Sequence, residues 1–302
     1  MPTPTVIVTF IRHGESTDNL RTVWAGWKDA PLSNHGMNQA KALAESMATT
    51  KFTAIYASTL KRALWTGQAV RDAQPDPKPY FEESPLLREQ HFGAAEGHPW
   101  AWDQTPGMTI EEHFAKGIWP VLHERHQKFP EAESLDDLYA RATKAVDQLV
   151  MPHVWKAARE GKSGVNIALA SHGLCISELI PALLVKDERG VHPGDKYRGL
   201  HNTAWTRVTV EVEDAQEGVP LDFLDNNPPK LRIRVTDVNR HEHLEKVKRQ
   251  KGGIGSAAHD PKQADIRAFF GGGKLKGEKA ETELEEGRSE SNALDEADVD
   301  IQ

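Results

Sequence analysis

The stretch VIVTFIRHGES, residues 6–16, decides how the chain is read. Its first six residues are β-branched or apolar, the composition of a strand covered on both faces. It then ends abruptly in Arg12, His13 and Gly14, two groups that prefer water and one that lets the backbone bend. In open α/β sheets, ligands bind beyond the carboxyl ends of the strands. A buried strand ending in such residues therefore reads as one wall of a site.

A second stretch has the same grammar. VNIALASHG, residues 165–173, is an apolar strand running into His172 and Gly173. A third strand, AIYA at 54–57, leads into STLKRALWT, which puts Arg62 in the first turn of the next helix. Helical patterns are expected over 35–48, with Ser33 as N-cap, and over 60–73, with Ser58 or Thr59 as cap. Another is expected over 134–160, broken or kinked at Pro152, and one more from 173 to about 184. Residues 204–212 and 230–238 alternate like strands with one wetter face. Strands alternating with helices in this order predict an α/β fold, a three-layer α/β/α sandwich with a mostly parallel central sheet.

Composition narrows the functions. The chain has 302 residues and a formal net charge of -8. Nine acidic residues and one arginine lie in 281–302, so the rest of the chain is balanced. A balanced body lacks the basic surplus of a nucleic-acid-binding domain. No stretch approaches the roughly 20 apolar residues of a membrane helix, and MPTPTVIVTF reads as a first strand rather than a signal peptide. One cysteine, Cys175, leaves no disulfide within the chain and no Cys-rich metal site. It reads as a buried, inert thiol. A cytoplasmic location is expected, or a nuclear one if the tail is used. HEH at 241–243 lacks the further ligands of a zinc site and reads as incidental.

Two histidines, two arginines and one carboxylate, Glu89 in the loop LLREQHFGAAEG at 86–97, are expected at one rim. That set suits phosphoryl transfer. Fixed cations stabilise the charge on a phosphoryl group in flight, and arginine's planar fork matches phosphate. A neutral imidazole can attack phosphorus, and nearby positive charge keeps it neutral. A carboxyl group can protonate the leaving oxygen. The arginines supply the charge, so no metal and no cofactor is expected.

These blocks resemble the histidine phosphatase superfamily, in the branch related to cofactor-dependent phosphoglycerate mutase. RHGEST with Asn19, AGWKDAPLSNHGMNQA at 25–40, YASTLKRALWT at 56–66, LLREQHFGAAEG and ASHG follow that family's order over about residues 5–240. The resemblance implies that His13 is the phosphorylated nucleophile and that Arg12, Arg62 and His172 form the phosphate pocket. It further implies that Glu89 is the proton donor and that Asn19 and Gly26 line the substrate pocket. EAESLDDLYARA at 131–142 resembles a helix start common among the family's phosphatases. The glycolytic mutases carry a lysine and paired arginines after the EG. Here Lys116 and Arg125 are present without a double arginine, and Leu174 stands where the mutases place asparagine. The expectation is a metal-independent phosphatase acting on a small phosphorylated metabolite or other phosphomonoester. A mutase-type phosphotransferase is the alternative, and a non-catalytic adaptor the second alternative. Trp100, Trp102 and Trp119 fall in the expected cap at 93–135, where core packing or an apolar substrate face would use them.

Beyond residue 245 the chain turns Gly-rich and polar, so the domain is expected to end there, with 246–302 a mostly disordered tail. KVKRQK at 246–251 reads as a solvated basic run rather than a localisation patch. Within the tail, Gln263, Ile266, Phe269 and Phe270 are spaced as in the box by which replication and repair proteins bind the DNA sliding clamp. A short turn would present the apolar members as one plug. The same residues folding back on the enzyme's own surface is the other reading.

Overall fold

The computed structural model describes residues 3–101 and 103–260. Strand β1 (Thr5–Arg12) leads into α1 (Asn34–Met47), then β2 (Ala54–Ser58), α2 (Lys61–Asp72) and β3 (Tyr80–Ser84). A loop region carries the two-residue strands β4 (Trp100–Ala101) and β5 (Trp119–Pro120), with the short helix α3 (Ile110–Ala115) between them. Helices α4 (Leu135–Ala145) and α5 (Met151–Glu160) precede β6 (Val165–Ser171) and α6 (Gly173–Leu184). Strands β7 (Trp205–Val212) and β8 (Leu231–Arg240) complete the sheet.

The six-stranded sheet has the order β3-β2-β6-β1-β7-β8. β1, β2, β3 and β6 run parallel, and at one edge β7 is antiparallel to β1 and β8 antiparallel to β7. Alternation sorts β1 between two cores. Val6, Val8 and Phe10 pack with residues of α4, α5 and α6, while Ile11 packs with Leu43 and Met47 of α1 and Val70 of α2. Helices on both faces give the expected three layers. β3, with the sequence YFEES, had no apolar signature because it is a largely exposed edge strand. No described helix is long and apolar enough to cross a membrane.

Several expectations are corrected. Ser33 caps α1 as expected, its Oγ accepting the Gly36 N–H, but α2 begins after Leu60 with no side-chain cap of its own. Ser58 Oγ instead accepts the Leu60 N–H and bonds His172, and Thr59 Oγ1 accepts from Arg88. The Lys61 N–H is satisfied by the Asp29 carboxylate at 2.7 Å. The 134–160 helix is interrupted by a wider turn at Val146–Val150, with the Met151 N–H reaching Val146 five residues back. The interruption lies just before Pro152, which has no N–H to continue the regular ladder. The compact body runs past the expected boundary at 245, to His259. Residues 246–259 are held by main-chain bonds to 32–35 and by an Arg249–Glu15 ion pair. Gly-rich composition concealed this, because main-chain pairing needs no apolar side chains.

Candidate active site

β1 and β6 are parallel neighbours with Arg12 opposite Ser171, so the residues that follow emerge side by side. The His13 and His172 rings lie 5.0 Å apart, tilted by 57°. Both are buried, as is Arg62.

Their hydrogen bonds fix opposite tautomers. His13 Nδ1 lies 2.6 Å from the Gly14 carbonyl, which can only accept. Nδ1 therefore carries the proton, and Nε2 is left with its lone pair. Arg62 Nε donates to His172 Nδ1 at 3.2 Å. That nitrogen is thus the acceptor, and His172 Nε2 donates to Ser58 Oγ at 2.8 Å. Burial holds the His13 imidazole well below its usual pKa, and Arg62 and then Arg12 push it the same way. His172 is lowered likewise, first by burial and then by Arg62. Both rings are neutral at physiological pH.

Arg62 is set from three directions. Besides Nε, its Nη2 donates to the Gly26 carbonyl at 2.8 Å and its Nη1 to the Lys28 carbonyl at 3.2 Å. A guanidinium has five N–H groups, so two remain to face an anion. Gly26 thus acts through its main chain. It must be small, because a Cβ there would sit 2.1 Å from Glu96 Oε1. Glu96 itself accepts from the Trp27 and Lys28 N–H groups and so fixes the 26–28 turn. Arg12 reaches the Leu200 carbonyl through Nη1.

Glu89 lies against the start of α6. Its Oε1 accepts from the Cys175 N–H at 2.9 Å and the Gln90 N–H at 2.9 Å, and its Oε2 from the Leu174 N–H at 3.2 Å. A Cβ at Gly173 would lie 3.7 Å from Arg12 Nε and 3.9 Å from Glu89 Oε2. Arg12 and Glu89 therefore converge above Gly173. Burial pushes the neighbouring Cys175 thiol up to about 11, consistent with an inert side chain.

Asn19 is the exception among the anticipated residues. Its side-chain oxygen accepts from the Ser16 N–H and hydroxyl, so it closes its own turn at the surface. Trp119 belongs to a cluster with Trp24, Phe92 and Phe129, so it packs as core. Trp102 and residues 263–270 lie outside the described residues.

Other contributors were not singled out as site residues by the sequence. Arg141 of α4 grips the 86–89 loop, donating to the carbonyls of Leu86, Arg88 and Glu89 while Glu133 holds its other side. Thr66 Oγ1 accepts the Gly14 N–H. Thr203, in the left-handed region at φ 56°, donates its N–H to the His13 carbonyl. A β-branched residue is strained there. Its hydroxyl bonds the Asn202 carbonyl and His243 Nε2, the latter at 3.0 Å. The HEH run thus braces the site's floor through His243, whose pKa burial lowers to about 4. Among the described residues no group of His, Cys, Asp or Glu is arranged to hold a metal ion.

Comparison with known proteins gives the family and the fold. The family model of the histidine phosphatase superfamily (branch 1) matches residues 8–217. The chain belongs to that superfamily. A probable phosphatase of Schizosaccharomyces pombe is 27% identical over 260 residues, covering 86% of this chain and 78% of the relative. A 2,3-bisphosphoglycerate-dependent phosphoglycerate mutase of Gloeobacter violaceus is 24% identical over 177 residues, covering 59% and 75%. Mycobacterial glucosyl-3-phosphoglycerate phosphatase superimposes with a TM-score of 0.54 at 21% identity, covering 77% of this chain and 98% of its own. Phosphoserine phosphatase of Entamoeba histolytica gives 0.52 at 21%, covering 79% and 99%. These two solved structures share the fold.

Proposed function

We propose that this histidine phosphatase hydrolyses small phosphomonoesters through a phosphohistidine formed on His13. The observation that carries the reading is the tautomer pair. His13 Nε2 keeps its lone pair on a buried ring beside Arg62 and Arg12, whereas both His172 nitrogens are engaged.

In the first step Nε2 attacks phosphorus, the ester P–O bond breaks, and Glu89 gives a proton to the leaving oxygen. Arg12 and the two remaining Arg62 N–H groups hold the phosphoryl oxygens, with His172 orienting Arg62. In the second step Glu89 takes a proton from water as that water attacks phosphorus. The N–P bond breaks, inorganic phosphate leaves, and His13 regains its lone pair. With five such groups assembled, an adaptor role without catalysis has little to recommend it.

Hydrolysis is favoured over mutase chemistry because the cap's cations are not presented to a second anionic group. Arg125 makes a two-pronged pair with buried Glu178 and a further bond to Asp136, and Lys116 is exposed at the end of α3. The phosphatase relative also aligns over more of the chain than the mutase does. The test measures phosphate release and 3-phosphoglycerate isomerisation side by side, with EDTA present and phosphoserine among the substrates. Release is expected to dominate and to survive the chelator. Dominant isomerisation, or loss of turnover on chelation, overturns the reading.

For the tail, we propose that Gln263, Ile266, Phe269 and Phe270 dock on the DNA sliding clamp, on the strength of their spacing. Replacing both phenylalanines by alanine is expected to abolish binding to purified clamp while leaving turnover unchanged. Undiminished binding, or none by the intact protein, removes this partner.

A further inference from the structure

Residues 246–259 form a strap outside the region matched by the family. Its contacts converge on the loop that carries His13. Arg249 Nη1 donates to Glu15 Oε1 at 3.0 Å and Nη2 to Glu15 Oε2, a two-pronged pair. Glu15 is buried, and Ser33 Oγ donates to its Oε1 at 2.6 Å. Its main-chain N–H donates to Gln39 Oε1, and its carbonyl accepts the Ser33 N–H. Further along the strap, Ala257 and Gly255 carbonyls accept from the Asn34 and His35 N–H groups, and the His259 N–H donates to Leu32. The His259 ring stands edge-on to Trp65 of α2 at 5.8 Å. The strap thus joins the starts of α1 and α2 to the loop between β1 and α1.

An exposed ion pair contributes little to stability, but a buried carboxylate needs its partner. Glu15 lies two residues after His13. Without Arg249 its carboxylate would be drawn towards water, and the loop would move with it. Gly14, whose carbonyl sets the His13 tautomer, lies between the two.

We propose that Arg249 is a positioning residue, which pins Glu15 and thereby holds His13 Nε2 in line for attack. This rests on His13 being the nucleophile. Displacements of about 1 Å in a reacting group can cost two orders of magnitude in rate, so a loop that is loosened but still folded should lose about tenfold.

The test uses full-length protein and p-nitrophenyl phosphate, with the active-site concentration titrated from acid-labile phosphohistidine. Arg249→Ala is expected to lower kcat per titrated site about tenfold, with KM within about twofold and the single-turnover rate of His13 phosphorylation falling in parallel. Gly255→Ala provides a second route. A Cβ there would sit 2.7 Å from Arg249 Cγ, unseating the guanidinium without deleting it, and the same loss is expected. A purely structural clasp would lower the melting temperature or the titrated fraction and leave kcat per site unchanged. That result in either folded variant overturns the proposal. If the wild type itself releases phosphate without a phosphohistidine on His13, the underlying reading fails instead, before any variant is compared.

Discussion

The ends of β1 and β6 share a sequence pattern and differ in what the chain does next. Each places a histidine before a glycine on neighbouring parallel strands, yet the two imidazoles are bonded differently. After β6 the helix starts at once. His172 is the N-cap of α6, with extended backbone and its carbonyl accepting the Ile176 N–H. Its ring is turned onto Arg62 and Ser58, which take both nitrogens. After β1 comes a loop instead. His13 Nδ1 meets the carbonyl of its own neighbour, Gly14, and Nε2 is left for chemistry. The connection following the strand, rather than the strand, separates the ring with a free Nε2, the proposed nucleophile, from the ring with both nitrogens engaged.

The largest test of that contrast is to delete each ring. His13→Ala is expected to lower turnover by at least about 10⁴-fold and to abolish the acid-labile label. His172→Ala should slow label formation by about 10²–10³-fold, since Arg62 loses an anchor, but the label should still form on His13. Quenched labelling with peptide mapping distinguishes the two, and a label found on His172 would reverse the assignment. Arg62→Lys sharpens the comparison with a smaller effect. One ammonium cannot reach His172 Nδ1 and the Gly26 and Lys28 carbonyls together in the geometry of the fork. The His172 side of the contrast is then loosened while positive charge is kept. A fall of about 10²-fold in kcat/KM is expected from steady-state kinetics, and an unchanged value would show that charge alone suffices.

Much of this was legible in the sequence, for identifiable reasons. Apolar runs ending in charge located β1 and β6, and with them His13, Arg12 and His172. Its place in the first turn of a helix put Arg62 at the same rim, and the loop at 86–97 brought Glu89 there. What was not legible acts through the main chain. Arg141 grips three carbonyls, Thr66 takes the Gly14 N–H, and Thr203 supports His13 through its backbone. Such bonds depend on where a loop passes, which spacing does not encode. Ser58 and Thr59 looked like helix caps, but His172 engages the first hydroxyl and Arg88 the second. The strap was read as disordered from composition, whereas its order comes from backbone pairing and the Arg249–Glu15 pair.

The smallest expected effect concerns a property that the two histidines share. Both are held neutral in the folded protein, with pKa values well below the ordinary 6.5, chiefly because burial penalises the charged ring. In the unfolded chain each takes up a proton as the pH falls through about 6.5. The unfolded state then binds more protons than the native state, so stability falls as the pH drops from about 6.5 towards the depressed folded-state values and is flat for these groups above it. A difference of one proton corresponds to a slope of about 1.4 kcal/mol per pH unit. Urea unfolding between pH 7.5 and 5.5 measures that slope. His13→Ala and His172→Ala should each flatten it by up to one proton, and by similar amounts, although only the first removes the proposed nucleophile. Unequal changes would mean that one ring is charged in the folded state. If that ring were His13, Nε2 would no longer have the lone pair on which the contrast between the two strand ends depends.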